Sequence, residues 1–171
     1  MIDSGDADEA EPLLDEASRV LHDDAERNGK YNLEIARARA QVLLKRNRIA
    51  DAVREIDALL ADIGDPRSVV ASKIQYPLLT AAEIHLRSGD LVVAESHARA
   101  ALTATESVAD DAQQSADIGR ALLLLGQVRY AKGDARGARD AFERARTPIA
   151  NGLGDEHPLA RELASWIAKL G

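Results

Sequence analysis

ALLLLGQVRYAKGDARGARDAFERA, residues 121–145, places Gly126 in the middle of an apolar run, seven residues ahead of Gly133-Asp134. An interior glycine weakens a helix by about 1 kcal/mol relative to alanine, so a leucine-rich helix that keeps one needs a reason. Repetition supplies it. Turn dipeptides recur at Gly5-Asp6, Asn47-Arg48, Gly89-Asp90 and Gly133-Asp134, spaced by 42, 42 and 44 residues. After each turn, small or apolar residues return at i, i+4 and i+7: Ala10, Leu14, Ala17; Ala52, Ile56, Leu59; Ala94, Ala98, Ala101; Ala138, Phe142, Ala145. That spacing is one face of a helix, and these segments are called B-type here. Seven residues before the later turns stand Ala40, Ala82 and Gly126, flanked by Ala36 and Val42, Leu78 and Ile84, and Leu122 and Val128. These are the A-type helices. Gly126 is the counterpart of two alanines, at a point where the neighbouring helix comes close and a larger side chain would push the pair apart.

A fifth A-type pattern closes the chain. Ala164 lies seven residues before Gly171, with Ala160, Leu163, Trp166 and Ile167 at the matching places. The expected organisation is a single array over 1–171: a lone B-type helix in 1–28, repeats at 29–64, 65–108 and 109–152, and a terminal capping helix at 155–171. Such a half-repeat start leaves an apolar face open. The phase therefore predicts a different terminal cap, a second chain over that face, or the C-terminal piece of a longer protein, the last being preferred. Trp166 is expected to pack onto the last repeat.

Bulk composition agrees with close helix packing: 46% of residues are apolar and 3% aromatic, whereas sheets favour β-branched and aromatic side chains. With no cysteine, disulfides and thiolate chemistry are excluded. That fits the cytoplasm, with a periplasmic domain as the alternative. A net charge of −7 argues against nucleic acid, whose binding draws on clustered Lys and Arg. The opening MIDSGDADEAEP is acidic where a signal peptide would be basic and then apolar, and no run approaches a membrane span, so the segment reads as soluble.

Leu125-Gly126, Tyr130, Gly133-Asp134, Ala138, Phe142 and Ala145 together resemble the tetratricopeptide repeat, a helix-turn-helix unit of 34 residues in its usual form. The longer period, the segment Gly152-Leu153-Gly154-Asp155-Glu156-His157-Pro158 and the stretch EAEPLL (9–14) are similar to the repeats of kinesin light chains and of bacterial regulators. In bacteria such arrays often form the C-terminal part of serine/threonine kinases or transcriptional regulators. The resemblance implies a right-handed α-solenoid of stacked hairpins, without enzymatic activity or cofactor, that binds a protein or peptide in a groove lined by its A-type helices. A receptor for a small ligand or signalling peptide is the alternative, and a homo-oligomer formed through the open N-terminal half-repeat is a further possibility.

Carried over position by position, the groove would be lined by Glu34, Arg37, Gln41, Leu44 and Lys45, then Tyr76, Leu79, Glu83, Leu86 and Arg87, then Arg120, Leu123, Gln127, Tyr130 and Ala131. A leucine and tyrosine strip beside cations suits a peptide with apolar side chains and an acidic group. The two-carboxylate clamp of chaperone-binding members is not reproduced, because Arg37, Gln41 and Thr80 occupy its lysine and asparagine positions. Catalytic patterns are lacking. His22, His85, His97 and His157 show no metal spacing and are not expected to converge, and no phosphate-binding glycine loop is present. Asp23-Asp24 and Asp110-Asp111 are expected near helix starts, where carboxylates suit the dipole. Asp65-Pro66 is expected to open a helix, and Pro77 leaves open whether that helix is continuous or restarts at Tyr76.

Overall fold

Among the described residues the turn dipeptides Asn47-Arg48, Gly89-Asp90 and Gly133-Asp134 each stand between the end of one helix and the start of the next. A computed structural model describes residues 9–10, 12–17, 19, 28–64 and 70–170, with side chains in 28–64 described from residue 33 onward. Among these residues the chain is helical, without strands: α1 (Asn28–Lys45), α2 (Ile49–Ile63), α3 (Ala71–Ser88), α4 (Leu91–Val108), α5 (Ala116–Ala131), α6 (Ala135–Leu153) and α7 (Pro158–Leu170), with further helical residues at 12–17. The Gly5-Asp6 turn, His22, Asp23-Asp24 and the Asp65-Pro66 helix start lie outside the described residues.

The turns share one backbone. Gly89 and Gly133 adopt φ of 88° and 82°, and Asn47, at the same repeat position, adopts φ of 57°. Asparagine tolerates that left-handed conformation better than most residues. The Asn47, Gly89 and Gly133 amides each donate to the carbonyl three residues back, on Leu44, Leu86 and Tyr130. The departure at Arg48 has a local consequence. Asp90 and Asp134 cap their helices by accepting from the amides of Val93 and Gly137, whereas Arg48 provides no side-chain cap to α2. Such a cap contributes about 1 kcal/mol. Arg48 Nε instead donates to Asp51 Oδ2 at 2.7 Å.

Two other helix starts have their own local causes. The hydroxyl of Ser115 caps α5 by accepting from the Ile118 amide. Asp111 lies earlier, in the loop, where it holds the Gln113 amide at 2.8 Å and Gln114 Nε2 at 2.9 Å. Pro77 lies buried inside α3, which runs through it from Ala71, so the helix does not restart at Tyr76. Pro148 is likewise buried within α6.

The chain divides into two compact units, Met1–Asp65 and Pro66–Gly171. In the first unit α1 packs against α2. The helical residues at 12–17 reach α1 through Arg39, whose Nη2 donates to Asp15 Oδ1 at 2.5 Å and to the Leu14 carbonyl.

In the second unit each helix from α3 to α7 packs on the next. The A-type helices also touch directly: α3 meets α5, and α5 meets α7. The Tyr76 hydroxyl donates to Asp117 Oδ2 at 2.8 Å across the first junction, and Gln127 Nε2 donates to Glu162 Oε1 at 2.7 Å across the second.

The interior follows the repeat register. Ala40, Ala82 and Gly126 are buried, and so are the residues sixteen positions on, Ile56, Ala98 and Phe142. A Cβ added at Gly126 would fall 2.3 Å from Phe142 Cε1, so the missing side chain is the space the ring occupies. Trp166 covers the same ring from α7, stacked on Phe142 at 5.8 Å and edge-on to Tyr130 at 5.3 Å. Two further glycines serve the α5–α6 contact: a Cβ at Gly119 would strike Ile149, and one at Gly152 would fall 2.8 Å from the Gln114 carbonyl oxygen. Ala164 of α7 departs from the pattern. It stands at the position of Ala40, Ala82 and Gly126, yet it is exposed.

Candidate partner-binding site

The carried-over groove residues fall into the two units, and burial sorts them. Leu44, Leu79 and Leu123 are 6%, 4% and 3% exposed. These three are core residues, which corrects their assignment to a groove wall. At their positions an A-type helix turns toward its neighbours, and burying a leucine there contributes about 1.5–3 kcal/mol.

In the first unit Arg37 grips Glu34, with Nη2 at 2.6 Å and Nε at 3.1 Å from Oε2. Gln41 is half-buried, and Lys45 is exposed at the end of α1. In the second unit Tyr76, Glu83, Leu86 and Gln127 are half-buried, while Arg87, Arg120, Ala131 and Tyr130 are exposed. Gln127 and Tyr130 are engaged by α7 through Glu162 and Trp166. Lys169 Nζ sits 4.0 Å above the Trp166 ring, which closes that end of the face.

Arg87 and Arg120 stand apart from most arginines of this unit. Arg99 pairs with Glu95, Arg146 with Glu143 and Arg161 with Glu156. Arg87 and Arg120 carry no ion pair or hydrogen bond among the described residues. An exposed guanidinium with no internal carboxylate keeps its five donors available for an external anion.

Two polar clusters escaped the sequence reading. His85 and His97 do come together: their rings lie 5.5 Å apart and tilted by 30°, with His85 buried between α3 and α4. Their signal was the turn between them, since four residues before Gly89 and eight after it meet across the hairpin. Among the described residues no group of three or more His, Cys, Asp or Glu could hold a metal ion. His157 has a structural task, its Nδ1 accepting from the Leu159 amide at the start of α7.

The second cluster centres on Glu95 of α4, whose side chain is 16% exposed. Lys132 and Arg99 donate to it, and Arg129 Nε lies 3.9 Å away. The hydrogen bond from Lys132, followed by that from Arg99, holds the Glu95 carboxyl below the ordinary carboxylate range, against the opposing effect of burial. Arg129 also donates to the Gly137 carbonyl, tying α5 to α6.

The first unit holds an open basin of about 450 Å³, lined among others by Leu14, Asp15, Arg39, Arg48, Asp51 and Arg54. Most of its charges are paired internally. Arg39 pairs with Asp15, and Arg48 and Arg54 both pair with Asp51. The hydrogen bond from Arg48 is the main cause of a lowered Asp51 carboxyl pKa. Among the described residues no helix is long and apolar enough to cross a membrane. No family model matches the chain, and no curated protein sequence matches it.

Proposed function

We propose that this chain is a non-enzymatic protein-interaction module built from tetratricopeptide-like hairpins stacked as a right-handed solenoid, the docking or sensing part of a bacterial regulatory protein. Its A-type helices take an acidic peptide segment. The observation that carries this reading is the pair of exposed arginines, Arg87 on α3 and Arg120 on α5, without internal partners on adjacent A-type helices of an acidic chain. The left-handed turns at Asn47, Gly89 and Gly133, the A-to-A contacts and the buried positions recurring after these three turns support the repeat assignment.

Half-buried Tyr76 and Leu86 offer apolar contact beside the cations. A prearranged helix face adds little ordering cost on binding. A small-ligand receptor is the second reading, favoured by the basin of the first unit, and it predicts a ligand-dependent rise in Tm.

Fluorescence anisotropy against a panel of acidic, leucine-containing peptides tests the first reading. Binding should weaken as salt rises, because exposed charges are screened within about 8–10 Å at physiological ionic strength. The R87E/R120E double variant should lose at least tenfold in affinity with Tm unchanged. Equal binding by variant and parent would refute the assignment of this face.

A further inference from the structure

Arg87 and Arg120, the two exposed arginines of the second unit without internal partners, belong to one stripe. Arg120 stands thirteen residues before Gly133, where α3 has Tyr76 before Gly89, and Arg87 stands two residues before Gly89. From the Tyr76 position to Arg87 is eleven residues, which is about three helical turns, so the two positions lie within about 20° of one direction and about 16 Å apart along the axis. The two A-type helices run the same way. The end of α3 meets the start of α4 at His85 and His97, the start of α4 meets the end of α5 at Glu95 and Lys132, and the N-terminal parts of α3 and α5 meet at Tyr76 and Asp117. Arg120 and Arg87 therefore mark opposite ends of one face on neighbouring parallel helices, inside the stretch 70–170 that is described without a gap.

Between the arginines the stripe has a definite order. Thr80 and Leu124, nine residues before their glycines, are buried and form a closed floor. One turn further stand Glu83 and Gln127. Gln127 is engaged by Glu162, whereas Glu83 is half-buried and makes no ion pair or hydrogen bond among the described residues, Arg87 four residues on included. From the Arg120 end the face thus offers a cation, a closed floor, an anion and a cation at rises of about 0, 6, 10 and 16 Å.

We propose that the occupant of this face is an amphipathic helix of a partner protein, lying antiparallel to α3 and α5, with an acid at position i, a base at i+4, an apolar residue at i+7 and an acid at i+11. The first acid meets Arg87, the base meets Glu83, the apolar side chain lies on Thr80 and Leu124, and the second acid meets Arg120. A helix fits because its rise and period are those of the stripe itself, so all four side chains fall on one of its faces in register. An extended segment does not fit: five residues span about 16 Å, but side chains an odd number of residues apart point to opposite faces. The antiparallel order is favoured by the ligand's own helix. It puts one acid at the N-terminal end, where a carboxylate suits the dipole, and four residues before the base, the more stabilising order for such a pair. This inference rests on the peptide-binding reading above and adds the conformation, direction and charge order of the partner.

Fluorescence anisotropy of the full chain with capped synthetic peptides tests it. The reference peptide carries Glu, Lys, Leu and Glu at i, i+4, i+7 and i+11 of an alanine-rich helix. Three peptides of equal charge are compared with it: one with the glutamates five residues apart, one with the four residues in reverse order, and one with a central proline that breaks the helix. The reference should bind at least about fivefold tighter than each, the size expected when exposed charge pairs are lost. Glu83→Lys should invert the preference at i+4, so that a peptide with glutamate there binds better than the reference, with helical circular dichroism unchanged. The peptide comparisons use the unaltered chain and stand whatever that substitution does to folding. Equal or tighter binding by any of the three comparison peptides, or a folded Glu83→Lys variant that still prefers lysine at i+4, overturns the inference; if R87E/R120E nevertheless weakens binding, the peptide-binding reading survives it. Absence of binding by every acidic peptide, or indifference to R87E/R120E, overturns both.

Discussion

The α3–α4 and α5–α6 hairpins follow one plan and fill it differently. In α5–α6 a glycine faces the only phenylalanine in the chain, and the ring occupies the space where a Cβ would stand. In α3–α4 both matching positions are alanine, Ala82 and Ala98, fully buried, and aromatic volume enters instead three residues after the first and one before the second, as the His85–His97 pair. What recurs along the chain is therefore the register of two helix faces and not the identity of any side chain. Interiors of this kind are packed as densely as organic crystals, so a change of size on one helix requires an opposite change on the other.

The largest expected effect comes from emptying the better-filled hairpin. Phe142→Ala should cost about 3–5 kcal/mol, the range for deleting a buried aromatic ring, and lower the urea midpoint while leaving α7 without its stacking partner. A loss under 1 kcal/mol would mean that the ring is not the wedge of this hairpin. Transplanting the pair sharpens the comparison. Ala98→Phe should destabilise by about 1–3 kcal/mol through overpacking, and adding Ala82→Gly should restore part of that stability, although glycine alone weakens α3. If the double variant is less stable than Ala98→Phe by the full helix-propensity cost, the two hairpins do not share a register.

A smaller effect belongs to Glu95, which joins α4 to α5. Its carboxyl pKa is lowered in the folded chain, so its contribution is present above the unfolded-state pKa and is lost as pH falls through the folded-state value. Glu95→Gln should therefore cost about 1–2 kcal/mol at neutral pH and should make stability less sensitive to acid between pH 5 and 3, a window set by ordinary carboxylate values. Parallel pH–stability curves for variant and parent would show that the cluster is structurally idle.

Much of this architecture was legible because helix periodicity and turn chemistry are local. Asn47 could stand for glycine in the repeat since it adopts the same left-handed turn, and Gly126 pointed to a close approach because it broke propensity inside a strong helix. The candidate site was less legible. Leu44, Leu79 and Leu123 matched groove positions by count, but whether a leucine faces a partner or the next helix depends on how neighbouring helices cross, which sequence spacing does not encode. The His85–His97 pair and the Tyr76–Asp117 bond join different helices, twelve and forty-one residues apart, and no single helical period links them. Ala164 had the right spacing but is exposed, because its position is buried only when a B-type helix lies over it.

The most direct test of the shared register is the effect of Gly126→Ala measured in two backgrounds by urea denaturation. In the wild type the added methyl meets the Phe142 ring, so the substitution should destabilise the chain despite alanine's better helix propensity. In Phe142→Ala the space is free, and the same substitution should stabilise by about 1 kcal/mol, a reversal of sign. The same sign in both backgrounds would contradict the claim that small residues on A-type helices are matched to the side chains sixteen residues on.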